Sequence, residues 1–253
     1  MSVLREIRAR LPEESLIYVA DSGHAPYGEK PQEWIRARAQ ELTEFLLRHD
    51  AKAIVVACNT ATAAAARTLR ERWPHLSIIG MEPAVKPAAE LTRSGTVGVL
   101  ATVGTLASAR FAALLDHFGQ DVRVVTQPGV GLVEAVERGE LSGERIREVL
   151  AAHLRPLLNE GADVIVLGCT HYVFLRSLVE ELVGPDVAVI DTGAAVVRQL
   201  ERRLDEDGRR AEPGSLVTVH FWGSGHPASL ARTLDQLWGP GCWPELLPPS
   251  SLS

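Results

Sequence analysis

The stretch "VIVLGCTHYVFLRSLV", residues 164–179, decides how the chain folds. Branched apolar residues fill Val164 to Leu167, stop at Gly168, Cys169, Thr170 and His171, and then resume at helical spacing. A run without polar alternation reads as a strand covered on both faces, the mark of a parallel sheet between helices. Residues 53–69, "AIVVACNTATAAAARTL", repeat the plan of strand, cysteine, polar residues and helix. The repeat predicts two similar α/β halves, each with one thiol at an equivalent place.

Outward from these stretches, further Val- and Ile-rich runs read as strands: "SLIYVAD", "LSIIGM", "GTVGVLAT", "DVRVVTQ", "DVAVID" and "SLVTVHFWG". Between most of them lie amphipathic segments such as "WIRARAQELTEFLLRH", "LASARFAALLDHF" and "GERIREVLAAHLRPLLNE", which read as helices. The fold class is therefore predicted as α/β, with two pseudo-symmetric domains, each a mostly parallel sheet flanked by helices, and an active site in the cleft between them. The halves differ at their starts. The second opens with a strand and loop, "GTVGVLATVGT" (95–105), before its first helix, whereas the first begins at the helix "SVLREIRARL". Symmetry predicts one more strand and loop ahead of that helix.

With 253 residues, 46% hydrophobic and 23% charged, the chain can bury a large core. A net charge of -6 and the lack of a Lys/Arg block argue against a nucleic-acid partner. No apolar run approaches the roughly 20 residues a membrane span needs, and the charged N-terminal helix has no signal-peptide core, so a cytoplasmic protein without a membrane partner is expected. Three scattered cysteines without a C-x-x-C make neither a disulfide framework nor a structural zinc site. Cys242, in "GPGCWPE", reads as a loop residue without a role.

Ligands of doubly wound sheets sit beyond the carboxyl ends of the strands, where helix N-termini point, and the sequence places Cys58 and Cys169 there. A helix N-terminus lowers a thiol pKa, which suits a reactive cysteine. A lone cysteine at a strand end is more often a small buried hydrophobe. Two at repeat-equivalent places, each followed by hydroxyl, amide or imidazole groups, favour chemistry. Three readings stay open: a redox disulfide, zinc held by Cys58, Cys169 and His171, and a two-base racemase or epimerase in which one thiolate removes a proton while the opposite thiol returns one. Asn59, Thr60 and Thr170 would hold polar groups of the substrate. No P-loop and no G-x-G-x-x-G follows a strand, so no cofactor is expected, and no metal beyond the zinc alternative.

The blocks "ADSGHAPYGEK" (20–30), "VVACNTATA" (55–63), "GVLATVGTLAS" (98–108), "VEAVERGEL" (133–141) and "VLGCTHYVFL" (166–175) resemble, in order and spacing, the glutamate racemases of the aspartate/glutamate racemase superfamily. The resemblance implies cofactor-independent interconversion of L- and D-glutamate, supplying D-glutamate for peptidoglycan. It implies that Cys58 takes the α-proton from D-glutamate, that Cys169 takes it from L-glutamate, and that His171 assists Cys169. Asp21, Ser22, Pro26, Tyr27, Gly28, Asn59, Thr60, Thr102, Thr105 and Thr170 would bind substrate, with Glu137 as a helper. For Thr102 and Thr105 ordinary loop capping is the competing reading, and for Glu137 a solvated helix face. From the repeat and the resemblance together, the first domain is expected to span 1–82 and 193–253, with 83–192 inserted as the second; a homodimer is implied by the resemblance alone. Family members begin with a strand and an Asp-Ser-Gly-x-Gly-Gly loop, and this sequence opens after that point; Asp21 and Ser22 match a second acidic motif instead. Val173 stands where the family usually has proline. The alternatives carried forward are a racemase for another acidic amino acid such as aspartate, and a glutamate-binding protein with impaired catalysis.

Overall fold

The computed structural model describes residues 1–118 and 122–250. In chain order its first elements are α1 (Ser2–Arg10), β1 (Leu16–Ala20), α2 (Gln32–Leu47), β2 (Ala53–Val55), α3 (Asn59–Arg72) and β3 (Ser77–Ile79). There follow α4 (Val85–Leu91), β4 (Thr96–Ala101), α5 (Val103–Leu106), α6 (Ala109–Phe118), β5 (Arg123–Pro128), α7 (Leu132–Glu137) and α8 (Glu144–Asn159). The last are β6 (Val164–Gly168), α9 (Arg176–Val183), β7 (Ala188–Ile190), α10 (Gly193–Glu206), β8 (Val219–Gly223), α11 (Pro227–Leu237) and β9 (Glu245–Leu246). The α/β class and the parallel pairing expected from the apolar runs are both present. No helix among the described residues is long and apolar enough to cross a membrane.

Two compact units form: Met1–Ala57, Ala64–Gly80 and Gly193–Ser253 make the first, and Cys58–Ala63 with Met81–Thr192 the second. The opening turn of α3, with its cysteine, thus groups with the second unit, although sequence order places Cys58 in the first half.

The second unit holds one parallel sheet in the order β5-β4-β6-β7. Its middle strands account for their unbroken apolar runs: Val97, Val99, Leu100 and Ala101 of β4 and Ile165 and Val166 of β6 are fully buried. Val97, Val99, Val164 and Val166 pack with Val85 and Ala88 of α4 and Phe111 and Leu114 of α6. Gly98 lets β4 close on its neighbours, because a Cβ there would lie 2.8 Å from Ile165 Cδ1 and 3.1 Å from Leu157 Cβ. The stretch "LASARFAALLDHF" (106–118) starts on the last residue of α5, breaks at Ala107 and Ser108, and continues as α6. Ser108 makes the break, its hydroxyl donating to Thr105 O at 2.7 Å and accepting from Phe111 N at 3.1 Å. That is a serine cap competing with helix continuation.

The first unit holds two sheets, β1-β8-β9 and β2-β3. The β2-β3 pair matches β6-β7, as the repeat requires. In the second unit β5 and β6 are joined through β4, whereas β1 and β2 of the first lie in different sheets. Their starts are tied by a side-chain bridge, Lys52 Nζ to Glu14 Oε2 at 2.7 Å, and the buried Glu14 also accepts from Ala211 N. Helix α10 packs on α1 and on β2 and β3, while Leu4 of α1 joins Phe221 of β8 and Leu234 of α11. The two-residue β9 in "GCWPELL" escaped the sequence reading, and Cys242 packs against the Leu4 cluster from a loop.

Gly98→Ala overpacks a buried strand between a helix and a strand, and is expected to lower stability by about 1–3 kcal/mol. Thermal or denaturant unfolding of the purified variant against the parent measures this, with unchanged stability contradicting the close approach.

Candidate active site

Asn59 is the residue that brings the two cysteine motifs together. Its amide Nδ2 donates to Gly168 O at 2.9 Å, so the residue after Cys58 is bonded to the residue before Cys169. Gly168 can sit there because a Cβ would come within 2.7 Å of Ala101 Cβ. The other amide atom, Asn59 Oδ1, is buried without a hydrogen-bond partner. A buried acceptor left in that state costs about 1–3 kcal/mol, which a bound donor such as an ammonium group would recover.

Around this bond three hydroxyls converge. Thr60 Oγ1 lies 2.8 Å from Thr102 Oγ1 and 3.2 Å from Thr105 Oγ1, and Thr102 and Thr105 are 2.9 Å apart. Thr102 also caps α5, accepting from Thr105 N, so capping and clustering occur together. Thr170 lies in the turn after Cys169.

The thiols are supported differently. Cys58 sits directly before α3, and Ala61 N donates to its sulfur at 3.4 Å. Burial nonetheless dominates, with the neighbouring Cys169 charge adding to it, and the Cys58 thiol is pushed up to about 11 despite the bonds from Ala61 and Thr60. Cys169, by contrast, has no helix directly after it: a turn and a 3-10 segment (Tyr172–Leu175) separate it from α9. The expectation that helix N-termini serve both thiols is corrected at this point. Cys169 is held instead by an imidazole, with His171 Nδ1 3.8 Å from its sulfur and His171 Nε2 2.7 Å from Glu137 Oε1 at the end of α7.

Burial by itself would lower the His171 pKa, but the bonds to Cys169 and Glu137 outweigh it and raise the value to about 9. An imidazolium donates from both nitrogens, which suits a thiolate on one side and a carboxylate on the other. Behind the turn, the fully buried Tyr172 donates its hydroxyl to Gly129 O at 2.8 Å.

Among the described residues no group of three or more His, Cys, Asp or Glu is placed to hold a metal ion, and all three cysteines are free. Of the residues singled out from sequence, Cys58, Asn59, Thr60, Thr102, Thr105, Glu137, Cys169, Thr170 and His171 all fall in the second unit. Asp21, Ser22, Pro26, Tyr27 and Gly28 belong to the first. There Asp21 is held well below the usual carboxylate range, at about 2: burial opposes ionisation, but bonds from Arg38, Tyr27 and Ser224 overcome it. Arg38 and Ser224 were not among the sequence candidates.

A family model described as Asp/Glu/hydantoin racemase matches residues 1–200. The chain is 59% identical over 239 residues to a glutamate racemase of Pseudomonas paraeruginosa, and 58% identical to one of Pseudomonas aeruginosa strain UCBPP-PA14; each match covers 94% of this chain and 90% of the relative. Among solved structures, glutamate racemase isoform RacE1 from Bacillus anthracis superposes with a TM-score of 0.88 at 29% identity, covering 98% of this chain and 92% of that one. Escherichia coli glutamate racemase in complex with L-glutamate and the activator UDP-MurNAc-Ala gives 0.85 at 30% identity, covering 97% and 93%.

The raised His171 pKa carries a sign. The charged pair contributes stability that is fully present below the unfolded value of 6.5 and is lost as pH rises through about 9. NMR titration of the histidine ring protons, with His171→Asn for assignment, is expected to place this midpoint near 9 and to move it down in Glu137→Gln. A midpoint at or below 6.5 in the parent contradicts the Cys169–His171–Glu137 arrangement.

Proposed function

Because the chain belongs to the Asp/Glu/hydantoin racemase family, and is thus an amino-acid racemase, we propose that it interconverts L- and D-glutamate by a two-base mechanism using Cys58 and Cys169. The observation that carries this reading is the Asn59–Gly168 bond, which sets the two thiols one residue to either side of a single contact. Relatives at 58–59% identity being glutamate racemases supports glutamate as the substrate, and supply of D-glutamate to peptidoglycan as the role.

In the proposed reaction with L-glutamate, the Cys169 thiolate takes the α-proton and the Cys58 thiol donates its proton to the opposite face of the planar carbanion. The product is D-glutamate, with Cys58 left as thiolate and Cys169 as thiol. The reverse reaction exchanges the roles. His171, charged and anchored by Glu137, stabilises the Cys169 thiolate before proton transfer, while a high Cys58 pKa keeps that residue loaded as an acid near neutral pH. Asn59 Oδ1 accepts from the substrate ammonium, and the Thr60, Thr102 and Thr105 hydroxyls and Thr170 hold its oxygens. The Pro26–Tyr27–Gly28 turn receives a substrate carboxylate.

The enantiomers have equal free energies in water, so kcat/KM is the same in both directions. Unequal support of the two thiols therefore has to appear as compensating changes in kcat and KM.

In deuterated water the α-proton signal of L- or D-glutamate is expected to disappear on incubation with the protein. Cys58→Ser and Cys169→Ser are each expected to slow turnover by about 10²–10⁴-fold, the contribution of one positioned acid or base. Parent protein that exchanges no faster than Cys58→Ser rules the mechanism out, and a higher kcat/KM for aspartate than for glutamate reassigns the substrate.

A further inference from the structure

Arg38 is among the largest fully buried side chains of the described residues, 2% exposed, on a helix that reads as amphipathic. Its guanidinium is spent on two carboxylates. Nε donates to Asp21 Oδ2 at 2.9 Å, Nη2 to Asp21 Oδ1 at 2.5 Å, and Nη1 to Glu41 Oε2 at 2.5 Å. Asp21 takes further bonds from Tyr27 Oη on Oδ2 at 2.5 Å and from Ser224 Oγ on Oδ1 at 2.8 Å, with His24 Nδ1 3.1 Å from Oδ1. Both carboxylate oxygens are therefore occupied from within the first unit.

The same helix face holds the other end of Tyr27. Trp34, one turn before Arg38, meets the Tyr27 ring edge-to-face with centroids 5.8 Å apart, and the His24 ring lies 5.4 Å from Trp34. Trp34 thus holds the Tyr27 ring directly, while Arg38, four residues further along the same face of α2, reaches the Tyr27 hydroxyl only through Asp21. At the far end of the cluster Glu41 accepts from Ser250 Oγ at 2.7 Å, which ties down the last described residue.

We propose that Arg38 is a positioning residue for substrate binding: by fixing the Asp21 carboxylate it holds the Tyr27 hydroxyl, and with it the shape of the Pro26–Tyr27–Gly28 turn. This rests on the glutamate racemase reading, in which that turn receives a substrate carboxylate. Asp21 is then an internal anchor whose charge is neutralised by Arg38, with no direct contact to substrate. A lysine serves only in part, because it offers one point charge where the site uses a planar fork with donors to two separate carboxylates. Without Arg38, Asp21 becomes an uncompensated anion beside a turn that has to accept another anion.

The test compares Arg38→Met, Arg38→Lys, Tyr27→Phe and the Arg38→Met/Tyr27→Phe double variant with the parent, by glutamate kinetics and by backbone amide hydrogen exchange. Arg38→Met is expected to raise KM for glutamate about tenfold with kcat within about twofold, the pattern of lost binding shared by ground and transition states. Arg38→Lys recovers part of the loss, and the double variant is less than additive because both changes act through one contact. Amides of residues 27–29 exchange faster in Arg38→Met while those of 164–172 do not. An unchanged KM, a fall confined to kcat, or unaltered exchange at 27–29 overturns the proposal. Should Arg38→Met unfold globally, Tyr27→Phe decides by the same KM and exchange criteria. Parent protein without glutamate turnover overturns the substrate reading alone, and amide exchange at 27–29 then decides whether Arg38 holds the turn.

Discussion

The candidate site depends on one bond, from the Asn59 amide to the Gly168 carbonyl. It spans 109 residues of sequence and links the start of one helix to the end of a strand in the middle of a buried sheet. Side chains on loops wander, whereas Gly168 ends a strand that pairs with β4 through that residue and with β7 up to Val166. Asn59 borrows that rigidity for Cys58. The donor amide is consumed in doing so, and the acceptor amide oxygen is left without a partner in a place where the protein supplies none. Such a group is costly in the folded protein and is characteristic of sites whose last contact comes from a ligand.

Cys58 and Cys169 occupy repeat-equivalent places, yet the physics around them has diverged. At one thiol, burial wins over backbone donors and the proton stays on. At the other, the sulfur faces an imidazole that a carboxylate holds and whose pKa is raised to about 9. A two-base reaction of the kind proposed needs only that both protonation patterns of such a pair be reachable.

The repeat, the strands and the two thiols were legible because local composition determines them: eight apolar runs became β1 to β8. Partnerships across long sequence separations were not. Glu137 and His171 are 34 residues apart, and nothing in "VEAVERGEL" separates a helper from a solvated face until α7 is placed against the turn after β6. Arg38 was hidden for a related reason. "WIRARAQ" carries arginines at 36 and 38, and which one turns inward depends on how α2 lies against the Asp21 loop and on Ser224, more than 180 residues away. The helix at Cys169 was misjudged because a turn of four residues reads like the first turn of a helix. The break at Ser108 did leave a signal: a serine followed by Ala-Arg-Phe is a plausible cap within an otherwise continuous apolar period.

The divided strands of the first unit bear on how its sequence can vary. A continuous ladder holds strands together through backbone groups that every residue except proline provides, so it tolerates exchange of side chains. Between β1-β8-β9 and β2-β3 no such ladder runs among the described residues, and contact passes through α1 and α10 and through the Lys52–Glu14 bridge. The burden falls on particular side chains, among them Val196, Val197, Leu200 and Leu204 on the inner face of α10 and the buried Glu14. Mutational tolerance is therefore unevenly divided along the chain, and the narrowest positions include ones outside both cysteine motifs.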